Sequence, residues 1–211
     1  MSDVILYDYA RSSAAYRVRI ALNLAGIAYR RIPVDLTRAE HKSPEHLGRN
    51  PQGLVPVLDI DGIRLTQSLA TIEYLAEVRG LKALPGDAET RARIRAAAMI
   101  IAIDIHPVCN LSVANRACRG ADDQDAAKRH WMTEGITPGL AAFESLLSAF
   151  EQTPYCCGNT PTLADICLIP QLYNADRWGI DTTALSRIQA ARNACARHPA
   201  FAAAAPEAAS P

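Results

Sequence analysis

The sequence predicts an α/β N-terminal domain followed by an all-α C-terminal bundle, and three observations carry that expectation. Up to about residue 80, short β-rich runs alternate with helical stretches. Beyond residue 88 the chain is Ala-rich and follows a helical pattern almost throughout. Between them, Leu81 to Asp87 contains a Pro-Gly pair that breaks helix and strand alike, as a short interdomain linker would. The expected domains are 1–82 and 88–211, with the Ala/Pro tail after Phe201 frayed.

Val4 to Tyr9 reads as a strand, and Ser12 to Ala25 as a helix with Val18, Ala21, Leu22 and Ala25 on one face and Gly26 just past its end. Ile32, Val34 and Leu36 alternate as a second strand, parallel to the first because a helix connects them. Val55 to Ile60 and Ile63 to Thr66 flank Asp61-Gly62, the short-range signal of a tight hairpin. A helix from Ser68 through Glu77 closes the domain, burying Leu69, Ile72, Leu75 and Ala76. The order β-α-β, then β-β-α, is that of a thioredoxin-like domain: one mixed sheet with helices packed on it.

Four helices are expected beyond the linker: Glu89 to about Ala117, Asp122 to about Phe150, Thr162 to Ala175 and Leu185 to Arg197. Pro107 should kink or end the first and Pro138 the second, since each removes a backbone donor and crowds the preceding turn. Thr162-Leu-Ala-Asp165 is a capping-box variant ahead of the apolar Ile166, Leu168 and Ile169.

With 211 residues, 49% of them hydrophobic, the chain is long enough to bury a core, and 22 Lys plus Arg against 22 Asp plus Glu exclude a nucleic-acid or membrane-surface binder by bulk charge. An anionic partner must therefore meet a local positive site. No window approaches the roughly 18 apolar residues of a membrane span, and Asp3 stands where a secretory signal would carry basic residues, so a cytoplasmic protein is expected. The six cysteines show no CxxC spacing, which argues against zinc and against a disulfide framework; reduced thiols and no metal are expected.

Three places can carry chemistry. Arg11-Ser12-Ser13 stands where the first strand turns into the first helix, so hydroxyls, free amides and the positive end of the helix dipole converge on a point that suits an anion. The plain alternative is that Ser12 or Ser13 is only an N-cap. Gln67-Ser68 opens a helix in the same way; its free amides suit a carboxylate, with a plain cap again the alternative. In Leu54-Val55-Pro56, a cis bond before the proline would turn the Val55 amide and carbonyl outward as a strand-like docking edge, whereas a trans bond would make Pro56 an ordinary edge proline.

Taken together, Arg11-Ser-Ser-Ala-Ala-Tyr-Arg17-Val-Arg19-Ile-Ala-Leu22, Asn50-Pro-Gln-Gly-Leu-Val55-Pro56 and Gln67-Ser68-Leu-Ala resemble the zeta class of glutathione transferases, whose bacterial members include maleylacetoacetate and maleylpyruvate isomerases. The resemblance continues through Asn110-Leu-Ser-Val113, Thr162-Leu-Ala-Asp165 and Asn174-Ala-Asp-Arg177, and so spans nearly the whole chain. It implies a homodimer with glutathione as cosubstrate. The implied activity is cis-trans isomerisation of a maleyl diketo acid, maleylacetoacetate to fumarylacetoacetate, by thiolate addition, bond rotation and elimination. Maleylpyruvate isomerisation, or glutathione binding or transfer without isomerisation, are the alternatives.

Position by position, the resemblance makes Ser12 the hydroxyl that donates to the thiolate, with Ser13 beside it. Val55, preceding Pro56, pairs with the cysteinyl part of glutathione; Gln67 and Ser68 hold the γ-glutamyl carboxylate; His41 falls near the glycyl end. Where the zeta pattern reads Ser-Ser-Cys this chain has Ala14, so no thiol acts there. Arg11 and Arg177 are the implied catalytic guanidiniums for a substrate with two carboxylates, a planar fork being suited to a carboxylate. The plain alternative for each is an ordinary surface Arg, or part of a structural ion pair with Asp165 or Asp176. His106, Asn110 and Ser112 are implied substrate contacts, with His106 alternatively only lining a cleft. Asn110-Leu111-Ser112 leans toward the maleylacetoacetate type, because the Arg pair expected after that Asn in the maleylpyruvate type is missing.

Overall fold

The structure, a computed structural model, describes residues 3–209. It divides into two compact units: one holds the residues up to Ala83 together with those from Ala196 onward, the other Leu84–Cys195. No single helix among the described residues is long and apolar enough to cross a membrane.

In the first unit β1 (Ile5–Asp8) leads into α1 (Ser13–Leu24), which returns the chain to β2 (Arg30–Pro33), parallel to β1. Ser12 caps α1, and Gly26 closes it at φ 65°, a left-handed conformation that glycine adopts without steric cost. β2 ends earlier than the Ile32, Val34, Leu36 alternation implied: its register with β1 stops at Pro33, and the last bond to β1 is from Val34 N to the Asp8 carbonyl at 2.8 Å. A helix that periodicity leaves unassigned, α2 (Pro44–Arg49), follows; its signal is local, Ser43 accepting from His46 N at 3.2 Å and Pro44 at the first helical position. β3 (Val57–Ile60) and β4 (Ile63–Thr66) form the expected hairpin, with Asp61 and Gly62 both at positive φ (55° and 77°), as a type I′ turn demands. α3 (Ser68–Val78) completes the unit, and the sheet order is β2-β1-β3-β4.

Register decides where the candidate residues fall. Tyr7 pairs with Val57, and Val57 with Thr66. The end of β1, the start of β3 and the end of β4 therefore lie side by side, and the segments beyond them (Ser12, Val55 and Gln67-Ser68) emerge at the same end of the sheet.

The tail does not fray. A helical turn at Pro199–Ala202 and the residues after it pack onto α1, with Phe201, Ala204 and Ala209 buried. Arg19 of α1, itself fully buried, explains why: its Nε donates to the Ala204 carbonyl at 2.8 Å, its Nη2 to the Ala10 carbonyl at 2.8 Å, and its Nη1 to both Asp8 oxygens at 2.7 and 2.9 Å. A tail whose composition reads as frayed is ordered by a buried guanidinium, by Asn23 Nδ2 donating to the Ala200 carbonyl at 3.0 Å and by the burial of Phe201, and this end of the chain groups with the first unit instead of the expected 88–211.

The second unit contains α4 (Ala88–Met99), a π-helical turn (Ile100–Ile105), α5 (His106–Val108), α6 (Leu111–Ala117), α7 (Gln124–Leu146), α8 (Leu163–Arg177) and α9 (Ser186–Ala196). The helix expected over Glu89 to Ala117 is thus broken around Pro107, whereas α7 runs straight through Pro138. Pro138 costs α7 one hydrogen bond, but buried Met132 and Ile136 before it and Leu140 and Phe143 after it anchor both sides. α7 also lies very close to the π-helical turn. A Cβ on Gly139 would sit 2.5 Å from Ile105, and one on Gly135 2.8 Å from the Cys109 sulfur.

The capping box is present. Asp165 Oδ2 accepts from Thr162 N at 2.8 Å and Thr162 Oγ1 at 2.9 Å, and Oδ1 accepts from Cys156 N at 2.9 Å. Burial lifts this carboxyl above its ordinary range even against those hydrogen bonds. Thr162→Ala is expected to lower unfolding stability by about 1 kcal/mol, the usual worth of a cap, read as a shift of the urea midpoint at unchanged slope.

Candidate active site

Ser12 has extended backbone (φ −72°, ψ 117°), and its Oγ accepts the Ala15 N–H at 3.2 Å. It is therefore a cap, as the plain alternative held. A hydroxyl also carries one proton and a second lone pair, so capping as an acceptor leaves its O–H free to donate. The chemical role and the cap are compatible. Ser13 begins the helix proper.

The Val55-Pro56 bond is cis. Among the described residues neither the N–H nor the C=O of half-buried Val55 is hydrogen-bonded, so one residue ahead of β3 the backbone offers a donor and an acceptor of strand type. The preceding Leu54 carbonyl is held twice, by His46 Nε2 at 3.0 Å and Asn50 Nδ2 at 2.9 Å.

Gln67 precedes α3 at φ 68°, and its carbonyl accepts from Thr71 N at 3.0 Å and Thr71 Oγ1 at 3.1 Å. Ser68 is the first helical residue and is buried; Arg17 Nη1 reaches its Oγ at 3.4 Å. Sequence reasoning missed Arg17. A guanidinium 2% exposed, beneath a helix N-terminus, adds positive potential where the amides already favour a carboxylate. Its signal, a second Arg two residues before Arg19 on a helix otherwise apolar inward, reads as a surface charge until α3 packs over it.

His41 lies in the 3-10 turn Glu40–Lys42, with its pKa pushed below 6.5 by burial first, then by the charges of Lys42 and His46. A histidine held neutral at pH 7 cannot meet a carboxylate by charge. Lys42 is the cation of this turn, its ammonium 3.3 Å from the Gly53 carbonyl. Because the folded pKa is depressed, the unfolded chain takes up the proton more readily. His41 should thus favour folding fully above pH 6.5 and lose that contribution as pH falls through 6.5. His41→Gln is expected to flatten the stability difference between about pH 7.5 and pH 5.5 measured by urea unfolding.

The remaining candidates belong to the second unit. His106 is half-buried and directly follows the π-helical turn. Asn110 caps α6: its Oδ1 accepts from Ser112 N at 3.0 Å and Ser112 Oγ at 2.9 Å, so Asn110 and exposed Ser112 are engaged with each other. Arg177 ends α8, exposed. The structural pairings weighed for it do not form, because Asp165 sits in the capping box and Asp176 binds Arg192, Nη1 to Oδ1 at 3.1 Å. Among the described residues Arg177 has no ion-pair partner, and Arg11, also exposed, has none either.

The protein supplies no thiolate of its own among the cysteines whose ionisation is shifted. Burial pushes Cys109 up to about 11 and Cys157 to about 12, and raises Cys156 and Cys195 as well. None of the six cysteines is joined in a disulfide. What the first unit offers at one end of its sheet is a serine hydroxyl at a helix start, an uncommitted strand-like backbone edge and a second helix start above a buried guanidinium, a set that suits a peptide-like molecule with a carboxylate.

The chain belongs to the glutathione S-transferase family: residues 2–77 match its N-terminal domain and 121–203 its C-terminal domain. Within that family it is 56% identical over 211 residues to maleylacetoacetate isomerase of Rhizobium meliloti (strain 1021), covering 100% of this chain and 99% of the relative. A solved holo structure of a maleylpyruvate isomerase, described as a bacterial zeta-class glutathione S-transferase, superposes with TM-score 0.92 at 42% identity, covering 98% of each chain. Maleylacetoacetate isomerase of Methylobacterium extorquens AM1, solved with bound malonate and glutathione, gives TM-score 0.89 at 37% identity, covering 96% of each chain. The resemblance read from the sequence is thereby shown, as is the expected architecture.

Proposed function

We propose that this chain is a glutathione-dependent cis-trans isomerase of a maleyl diketo acid, maleylacetoacetate in the first instance. The observation that carries the reading is the common sheet end at which Ser12 keeps a hydroxyl proton free, Val55 keeps its backbone uncommitted, and Ser68 opens α3 above Arg17. These residues fit glutathione. Val55 pairs with its cysteinyl backbone, Ser68 and the first amides of α3, beside Gln67, hold the γ-glutamyl carboxylate, and Lys42, more readily than neutral His41, faces an anionic end. When bound, glutathione supplies a thiolate that adds to the cis double bond and leaves again after rotation, unconsumed.

The chain's own part is electrostatic. The Ser12 hydroxyl donates toward the sulfur, Ser13 and the α1 amides add the positive end of the helix dipole, and together they favour the ionised thiol at neutral pH. Arg11 and Arg177, which have no ion-pair partner among the described residues, take a substrate carboxylate beside the double bond and the negative charge that develops on the carbonyl oxygen. His106 serves as a polar substrate contact. Asn110 and Ser112, engaged with each other, shape that site through α6 more than they touch the substrate.

Maleylpyruvate isomerisation is the second reading, supported by the structural likeness to that enzyme; the absence of an Arg pair after Asn110 weighs for maleylacetoacetate. A steady-state assay of both cis-diketo acids with and without glutathione tests both readings, and turnover of neither would leave a glutathione-binding protein. The reading includes a cytoplasmic homodimer, for which exposed Ile103, Leu111 and Val113 supply apolar surface. Sedimentation equilibrium at twice the 22.8 kDa chain mass is the expected result.

A further inference from the structure

The first unit contains a cavity of about 350 Å³ that the proposed glutathione cradle does not use. Its walls come from the end of β1 and the following loop (Asp8 to Arg11), from β2 and the loop after it (Arg31, Pro33 to Asp35, Thr37), and from Ala209 of the folded tail. The lining is largely apolar, and two guanidiniums reach it. Arg31 gives only its Nε to Asp8, at 2.8 Å, and is about a quarter exposed (26%); among the described residues its Nη groups have no partner. Arg11 also lines the cavity and makes no hydrogen bond or ion pair among the described residues.

Of the two carboxylates in the lining, Asp8 is committed at both oxygens, whereas Asp35 is engaged at Oδ1 only and keeps its charge. Asp8 is wholly buried, its Oδ1 taken by Arg19 Nη1 at 2.7 Å and its Oδ2 by the same nitrogen at 2.9 Å and by Arg31. Asp35 Oδ1 accepts from Thr37 N at 2.8 Å and Thr37 Oγ1 at 2.6 Å. With Arg19 behind Asp8, the guanidiniums outnumber the carboxylates, so the space favours a single negative charge on an apolar stem. Asp8 orients Arg31: pinned at Nε by a carboxylate that Arg19 holds still, the Arg31 fork is fixed with its two Nη groups free. A fork held that way is preorganised for a planar carboxylate.

We propose that this cavity takes the carboxylate of the diketo acid remote from the double bond, and that Arg31, supported by Asp8, is a specificity-determining residue that reads the length of that arm. The proposal rests on the isomerase reading and extends it. Arg11 stands between the two places, next to Ser12 in sequence and within the cavity wall, so a substrate arm leaving the reacting centre passes it first. Maleylacetoacetate carries one more methylene in this arm than maleylpyruvate, and a fixed guanidinium at the end of an apolar space discriminates between the two.

The test compares the cis-diketo dicarboxylate with its analogue ending in a methyl ketone, which keeps the enone and loses the remote carboxylate. Arg31→Met should raise KM for the dicarboxylate about tenfold or more with kcat nearly unchanged. The methyl ketone and glutathione should keep their wild-type KM values, and Arg31→Lys should restore part of the loss. Equal losses on both substrates, or none on the dicarboxylate, would overturn the proposal. Calorimetric titration with suberate, an eight-carbon saturated dicarboxylate, provides a readout independent of turnover. Affinity should fall about tenfold in Arg31→Met, and an unchanged affinity would also overturn the proposal. Wild-type protein that isomerises neither acid would sink the isomerase reading, while the suberate titration would still decide the cavity.

Discussion

Ser12→Ala is expected to lower kcat/KM by about a hundredfold, the usual cost of removing one donor aimed at a developing or resident anion. The loss of stability should be no more than about 1 kcal/mol, since only the bond from Ala15 N at 3.2 Å is given up. These effects are separable because the hydroxyl can do two things at once: a lone pair caps α1 and its proton remains available to donate. The pH profile provides the sharper check. With the donor gone, the thiol of bound glutathione should ionise at higher pH, so the acid limb of kcat/KM moves upward while the unfolding midpoint hardly shifts. Ser12→Thr keeps a hydroxyl and should recover part of the activity. Wild-type turnover across neutral pH in Ser12→Ala would move the role to Ser13 or to the backbone amides alone.

Arg177→Met should cost about 2 to 5 kcal/mol of transition-state stabilisation if its guanidinium is desolvated against a substrate carboxylate, while calorimetric titrations of glutathione stay intact. Methionine retains most of the aliphatic stem, so packing at the end of α8 is conserved. The neighbouring ion pair is untouched, because Asp176 belongs to Arg192. The elements proposed for glutathione all lie in the first unit and Arg177 in the second, which is why the two readouts should part. Equal losses in both, or in neither, would make Arg177 structural and assign the substrate carboxylates to Arg11 and Arg31 alone.

Much of the proposed glutathione cradle was legible because its signals are local. A serine at a strand-to-helix junction, the Val-Pro dipeptide ahead of a strand and Gln-Ser at a helix start each depend on residues within a few positions. The electrostatic partners were not legible. Arg17 and Arg19 sit on a helix where arginine reads as a surface residue, and only packing puts Ser68 over one and Asp8, Ala10 and Ala204 around the other. His41 carried a motif position but little electrostatic sense, because burial that disfavours its charge has no trace in the local sequence.

By itself the sequence determined the elements whose energetics close within one turn: the Ser12 cap, the Asp61-Gly62 hairpin, the Thr162-Asp165 box and the β-α-β order that makes β1 and β2 parallel. Tertiary structure alone decided four things. Pro138 stays inside a continuous helix, the π-helical turn lies against Gly139, the tail belongs to the first unit, and among the described residues Arg177 is left without an ion-pair partner while Asp176 turns to Arg192. The reason is common to all four: a local rule compares the chain with itself over a few residues, whereas a buried charge, a close helix approach or a choice between two ion-pair partners is settled by groups far apart in sequence, where desolvation and contact outweigh a single propensity.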